Sequence, residues 1–336
     1  RNISSEHIST PASMPRNVSL TSLCSPMARL LHSHAMFDAS RPCLYVCQRE
    51  RRSAVLNNNA QVRGIYRSIT QAVRQAVDGD TIQILSGIYE ENVVLETSVF
   101  IKPVPGEEVT IRGENRATIS SSALSAKIEG ITLQHVGGDA SLRGKFGVRC
   151  VEVRGGDFEM INCDVTSSTG SGIILLENSY FNVRKSRVND CGRCGIISFD
   201  EATLNGESSE FKENALNGVD LQTGSTATLS RCKVEGNGQT GVLVSDQHTQ
   251  VSLMDCSVLN NARRGVTAQH FAAFFLRGCA ISGNHDVGVL LLGDASPCLC
   301  LFASCTLSGN REGALTVHGS LPDTSSCTIE GNVVFI

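Results

Sequence analysis

The stretch GVDLQTGSTATLSRCKVEGNGQT, residues 218–240, is followed without a gap by GVLVSDQHTQVSLMDCSVLNNARR, residues 241–264. Each opens on Gly and an aliphatic residue, then carries three short alternating segments separated by turn residues. Val242/Val244, Val251/Leu253 and Cys256/Val258 are the apolar positions of the second copy. Alternation over so few residues is the pattern of short β-strands. Working outward, the opening glycine recurs as Gly147, Gly172, Gly195, Gly218, Gly241, Gly265, Gly288 and Gly313, at intervals of 23 to 25 residues. A small residue follows most of these glycines at a fixed offset of fourteen: Ser186, Ser209, Cys232, Cys279 and Cys327, with Cys163, Cys256 and Cys305 displaced by short insertions. Five residues beyond six of them stands asparagine: Asn214, Asn237, Asn261, Asn284, Asn310 and Asn332.

A repeat of this length signifies a solenoid or a propeller. It is too short for a propeller blade or a helical repeat, and the leucine-rich pattern does not recur. Three strands per turn predict an all-β parallel β-helix of about ten coils, in which equivalent side chains stack about 4.8 Å apart. The asparagines then form a structural ladder at one bend and glycine marks another. Cys and Ser share one inward column, so these cysteines are read as small core residues. The remaining pair, Cys191 and Cys194, is a lone CxxC with neither a second pair nor a βαβ context.

Upstream, Tyr66, Ile69, Val73, Ala76 and Val77 share a helical face, Ser68 and Gln71 form a capping pair, and Gly79 supplies a stop. The expectation is a short N-terminal helix covering the end of the stack. The run YRSITQAVRQAVDGDTIQILSGIYEENVVL, residues 66–95, is followed by TIRG and by the Gly/Cys/Asn coils. It resembles the right-handed parallel β-helices of the pectin-lyase-like superfamily, in particular the carbohydrate-binding and sugar-hydrolase repeats also found in certain F-box and SHC-binding proteins. The resemblance covers roughly residues 62–336 and implies the fold; that group holds both enzymes and non-catalytic members.

The 336 residues divide into an extension, 1–63, and a β-helix, 64–336. Of the net charge of −4, the extension holds +5, from eight Arg and three acids, which leaves −9 for the solenoid. An Arg- and Ser-rich, acid-poor leader that begins at Arg1 suggests a processed, mitochondrial protein. No apolar run is long enough to span a membrane.

For chemistry, the residues that end the Gly-marked strand are Glu177, Asp200, Asp246 and His270, with Thr223 among them. Carboxylates one or two coils apart would stand about 5 or 10 Å from each other, which suits glycoside hydrolysis. The lyase, polygalacturonase and epimerase signatures that the resemblance would bring are missing; Asn284-His285-Asp286 is only a superficial echo. No cofactor or metal is implied. Outward positions of the same strand hold Ile174, Leu176, Ile197, Phe199, Leu243, Leu290 and Leu292, interrupted by Asp220/Gln222 and Thr267/Gln269. Such an apolar face needs a cover, supplied by a partner or by Leu30, Leu31, Phe37 and Leu44-Tyr45-Val46 of the leader. The closing Val333-Val334-Phe335-Ile336 gives the stack an apolar end, which implies either that the sequence is truncated there or that a partner covers it. Arg184, Lys185, Arg187, Arg231 and Lys233 form a cationic outward set that could contact RNA, although acids interrupt it. The combined reading is a non-catalytic scaffold or interaction subunit of a larger assembly of protein subunits, with RNA as a further component. The alternative is a carbohydrate-binding or polysaccharide-cleaving β-helix protein.

Overall fold

The computed structural model describes residues 37, 41–47, 62–138, 148–293, 299–318 and 321–336. One repeat contributes the strands Val219–Leu221, Thr226–Ser230 and Lys233–Glu235 to three different sheets. All pairings are parallel, and the three sheets hold 11, 12 and 11 strands respectively, so the stack has eleven turns. We call them the first, second and third sheets in the order in which a repeat visits them. Register is kept from turn to turn: Val219 lies beside Val242, Ala227 beside Val251 and Lys233 beside Ser257. Because side chains alternate across a strand, Val219 and Leu221 point into one continuous core and Asp220 points out. The core runs from Leu44 to Val317 and includes the stacked rings of Phe158 and Phe181.

The asparagine ladder is present. The amide of Asn214 donates to Asn237 at 2.9 Å, Asn237 to Asn261 at 2.9 Å, Asn261 to Asn284 at 3.0 Å and Asn284 to Asn310 at 2.8 Å. Each amide nitrogen also donates to a strand carbonyl, such as Phe211 for Asn237, and each oxygen accepts a main-chain N–H from the turn before. Glycine is needed opposite this ladder because of close approach: a Cβ on Gly218 would stand 2.8 Å from the Asn237 amide nitrogen and 2.8 Å from the Gly241 carbonyl. Asn332 departs from the expectation. It lies in the last turn of the stack, is exposed, and its main-chain carbonyl receives Ala314 N–H; the ladder therefore runs from Asn214 to Asn310.

The Cys/Ser column also does more than fill space. Ser186 Oγ accepts Cys163 N–H at 3.1 Å and Ser209 Oγ accepts Ser186 N–H at 3.2 Å, while Cys256 and Cys279 donate to strand carbonyls. Interchange of Ser and Cys follows from this turn-capping role. Cys191 and Cys194 are buried free thiols. Burial pushes both upward, Cys194 to about 12, so neither supplies a thiolate.

The expected helix spans Ile69–Gln75 (α1), capped by Ser68 Oγ accepting Gln71 N–H and by Glu91 accepting the N–H groups of Ile69 and Thr70. Ile69, Ala72 and Val73 join the core, whereas Val77, assigned to the same face, is exposed because the helix stops before it. A second difference concerns the extension. Cys43–Val46 is a strand inserted in the second sheet between Val62–Tyr66 and Asp80–Ile84, with Leu44 and Val46 in the core. The solenoid thus takes residues from within 1–63, since CLYV alternates as a strand does. It also means Leu44-Tyr45-Val46 does not lie across the first sheet. Phe37 packs on Phe100 of the second sheet, ring centroids 5.7 Å apart, while Leu30 and Leu31 lie outside the described residues.

His135 is a core group of the third sheet. Its Nδ1 lies 3.0 Å from Ser167 Oγ and its Nε2 is buried without a partner among the described residues. Burial, reinforced by Arg149, holds its pKa below the ordinary 6.5. The unfolded chain therefore binds the proton more readily, and the stability that neutral His135 contributes is complete above pH 6.5 and lost as pH falls through the depressed native value. Urea unfolding from pH 7.5 to 5 should show a stability loss that His135→Leu abolishes.

Candidate functional site

The predicted carboxylate row follows the first-sheet strands as a line of left-handed turn residues: Glu177, Asp200, Thr223, Asp246 and His270 have φ of 56, 54, 48, 79 and 54°. Two of the side chains, those of Thr223 and Asp246, cap the turn before their own. Thr223 Oγ1 accepts Asp200 N–H at 2.7 Å, Asp246 Oδ2 accepts Thr223 N–H at 3.3 Å, and Glu177 is paired with Arg154 at 2.8 Å. His270 Nδ1 lies 3.1 Å from Ser245 Oγ and 3.8 Å from Asp246. This is an exposed ridge of turn-capping groups, and it explains why Asp recurs there.

On the first sheet's outer face, Ile174, Leu176 and Phe199 form a buried cluster of their own with Ile197 against it. Leu290 is also buried, and Leu243 and Leu292 are half-buried. The residues assigned to a protein interface are thus not an exposed patch. Between the two apolar blocks, Asp220 is 5% exposed. Its carboxylate accepts from Asn217 and Gln222, each at 3.0 Å. Burial nevertheless raises its pKa above the ordinary value of 3.8. A raised native pKa means that its contribution is fully present below pH 3.8 and is lost as pH rises through the native value. Wild type should lose stability relative to Asp220→Asn across that interval in thermal melts taken from pH 3.5 upward.

The cationic set is largely neutralised. Arg184 pairs with Glu159, Arg187 with Asp164 at 2.6 Å, Arg231 with Glu207, and Lys233 with Glu235 at 2.5 Å. Cations tied to carboxylates in this way do not form a phosphate track. Lys185, next to Arg184, borders a recess between the second and third sheets.

A different constellation stands on the second sheet's outer face. Register aligns one column there: Phe100, Lys127, Glu159, Asn182, Asn205, Thr228, Ser252 and Phe275. At one end the Lys102 and Lys127 ammonium groups lie 4.9 and 4.7 Å from the Phe100 ring centroid. Next, Glu159, only 6% exposed, is held between Lys127 at 3.3 Å and Arg184. Asn182 is 7% exposed. Arg184 Nε and Asn205 Nδ2 are buried with no hydrogen-bond partner among the described residues. A sheet face turned away from the core is expected to carry solvated polar groups; here it holds a buried carboxylate, three cations and, on Arg184 and Asn205, two unspent donors. Buried polar groups without partners call for an explanation, and burying charge carries a desolvation cost that the ion pairs only partly repay. Of this column only the neighbouring Arg184 was singled out from the sequence. The available signal was the constant 23-residue spacing of Glu159, Asn182, Asn205 and Thr228. Among the described residues, no group of three or more His, Cys, Asp or Glu could hold a metal ion, and no helix is long and apolar enough to cross a membrane.

A helix wound from three parallel sheets, with an asparagine ladder at one bend and a polar column along one face, defines the parallel β-helix class. Residues 87–270 match the family model described as right handed beta helix region, and the chain belongs to that family. Among solved structures it is similar to the Dettilon tailspike protein, at 11% identity and a TM-score of 0.57, over 80% of this chain and 64% of that one. It is also similar to the periplasmic alginate epimerase AlgG, at 14% identity, TM-score 0.44, over 77% and 78% of the two chains. For pectate lyase Pel9A the values are 9%, 0.44, and 89% and 82%. At these identities the likeness is one of fold. No curated protein matches the sequence.

Proposed function

We propose that the chain is a carbohydrate-binding β-helix protein whose ligand lies along the outer face of the second sheet, parallel to the solenoid axis. The observation that carries this reading is the stretch of the column between Phe100 and Phe275, which places carboxylate, amide and hydroxyl groups between two aromatic rings; the register continues to Thr81 on one side and Leu301 on the other. Sugar rings present apolar C–H faces, which pack on aromatic rings, and hydroxyls, which donate to carboxylates and both donate to and accept from amides. Seven inter-strand steps at about 4.8 Å make the column about 34 Å long, room for an extended oligosaccharide. The unspent donors on Arg184 and Asn205 would meet its oxygens, and Lys127, Glu159 and Arg184 would contact it toward the Phe100 end. The scaffold reading loses its motivating feature, because Ile174, Leu176, Phe199 and Leu290 are already buried.

The test is affinity electrophoresis through a panel of neutral and acidic polysaccharides. At least one should retard the wild-type protein, and Asn205→Ala and Phe275→Ala, both at half-buried positions outside the core, should weaken that retention at least tenfold while leaving the thermal melt in place. A panel on which the wild type migrates freely, or retention indifferent to both substitutions, would overturn the proposal.

A further inference from the structure

We propose that the recess between the second and third sheets binds a single anionic sugar unit, a hexose bearing one phosphate, sulfate or carboxylate group. The recess has a volume of about 280 Å³ and is lined by Gly130, Thr132, Asn162, Asp164, Lys185 and Arg187, among others. That is the low end of the range for small-molecule sites, about 300 Å³ upward, so it admits one small ligand. Its shape comes from two turns. Asn162 and Lys185 occupy left-handed positions, with φ of 51 and 49°, in consecutive turns, and Gly130 takes the same position one turn earlier, with φ of 68°. Where the later turns project side chains, Gly130 has none, and a Cβ there would meet only Pro103 at 3.4 Å. The floor is therefore open beneath Lys185 and Arg187.

The chemistry is two cations against one carboxylate. Arg187 donates to Asp164 Oδ2 at 2.6 Å, which leaves guanidinium donors over. Asp164 Oδ1 is buried and has no hydrogen-bond partner among the described residues. A carboxylate oxygen left without a donor, inside a recess of net positive charge, fits a ligand that brings a hydroxyl and an anion together. The hydroxyl would donate to Asp164 Oδ1 and the anion would face Lys185 and the free edge of Arg187, with Thr132 and Asn162 at the sides. Inorganic phosphate alone satisfies the cations and leaves Asp164 Oδ1 facing a like charge; glucose alone satisfies Asp164 and leaves the cations bare. The site lies outside the Phe100–Phe275 column and stands or falls independently of it.

The experiment is isothermal titration of the full chain with glucose 6-phosphate, glucuronate, inorganic phosphate and glucose. At least one of the two hydroxylated anions should bind at least tenfold more tightly than both inorganic phosphate and glucose, and the preferred one identifies the anionic group. Lys185→Ala should weaken its binding at least tenfold. Asp164→Asn, which keeps the side chain's shape but frees Arg187, should strengthen inorganic phosphate and bring it within threefold of the sugar anion. Lys185 lies at the surface and Asp164→Asn keeps the side chain's shape, so an unchanged thermal melt accompanies both variants. If the sugar anions bind no better than glucose, or bind Lys185→Ala unchanged, or keep their advantage in Asp164→Asn, the assignment is wrong. Asn205→Ala, which tests the column, should leave these titrations unaffected.

Discussion

Asn237→Ala is expected to lower the unfolding free energy by about 4 kcal/mol, from an orphaned buried N–H and three weakened groups at 1–3 kcal/mol for each group left unsatisfied. The main-chain N–H of Asn214 has the Asn237 amide oxygen as its acceptor, and that oxygen also takes the Asn214 amide. The Asn237 amide nitrogen in turn serves Phe211 O and Asn261 Oδ1. Alanine removes all four bonds at a position that is fully buried, and water cannot replace them without opening the bend. Against a total of about 5–15 kcal/mol for a domain, the loss is a large fraction. Because each turn of a solenoid touches only its neighbours, hydrogen exchange should quicken first at Phe211 to Asn214 and Asn261. The control is Asn332→Ala, which should stay within about 0.5 kcal/mol because that residue is exposed and its amide is outside the ladder. A urea series in which Asn237→Ala costs less than about 1 kcal/mol would show that the bend is held by the strand pairing and not by the ladder.

The fold was legible because its determinants recur. Glycine, the small Cys/Ser position and asparagine each answer to a contact made once per turn, with the glycine opposite the asparagine amide of its own turn, so their spacing carries the architecture. What was not legible broke the recurrence. Cys43–Val46 lies 15 residues before the next strand and enters the sheet out of sequence order, between Val62–Tyr66 and Asp80–Ile84; nothing in CLYV indicates which strands it will separate. Asn332 satisfies the spacing, yet it is exposed and the Asn310 amide donates to the Ile281 carbonyl, so the spacing alone did not make it a ladder member.

The candidate site was hidden for a related reason. Attention falls on the strand that the glycine marks, and its outward residues Glu177, Asp200 and Asp246 repeat because turns favour them. The second-sheet column uses a different residue in almost every turn: Lys127, Glu159, Asn182, Asn205, Thr228, Ser252. A binding surface need not repeat, since its ligand differs along its length, so the markers that reveal a solenoid are blind to it. The inward neighbours Phe158, Phe181 and Leu204 do repeat in character, and counting one residue past each would have placed Glu159, Asn182 and Asn205 outward.

Whether the Lys127–Glu159–Arg184 cluster serves the ligand or only the fold is decided by comparing two kinds of variant. Removing one partner leaves the others unpaired, and Glu159→Ala should cost about 3 kcal/mol or more, as expected when a buried ion pair is broken. Replacing the whole cluster by apolar residues of similar size, Lys127→Met with Glu159→Leu and Arg184→Met, should return stability to within about 1 kcal/mol of wild type or exceed it, since the desolvation cost of all three charges disappears together. The cluster is suited to this comparison because Glu159 is nearly inaccessible while both cations are partly so. A stable triple variant that still binds its polysaccharide as tightly as wild type would make the cluster a purely structural tie between turns. If the charges are retained for the ligand, the triple variant should melt at or near the wild-type temperature yet lose retention at least tenfold, a separation of folding from binding that no single substitution of Glu159 can deliver.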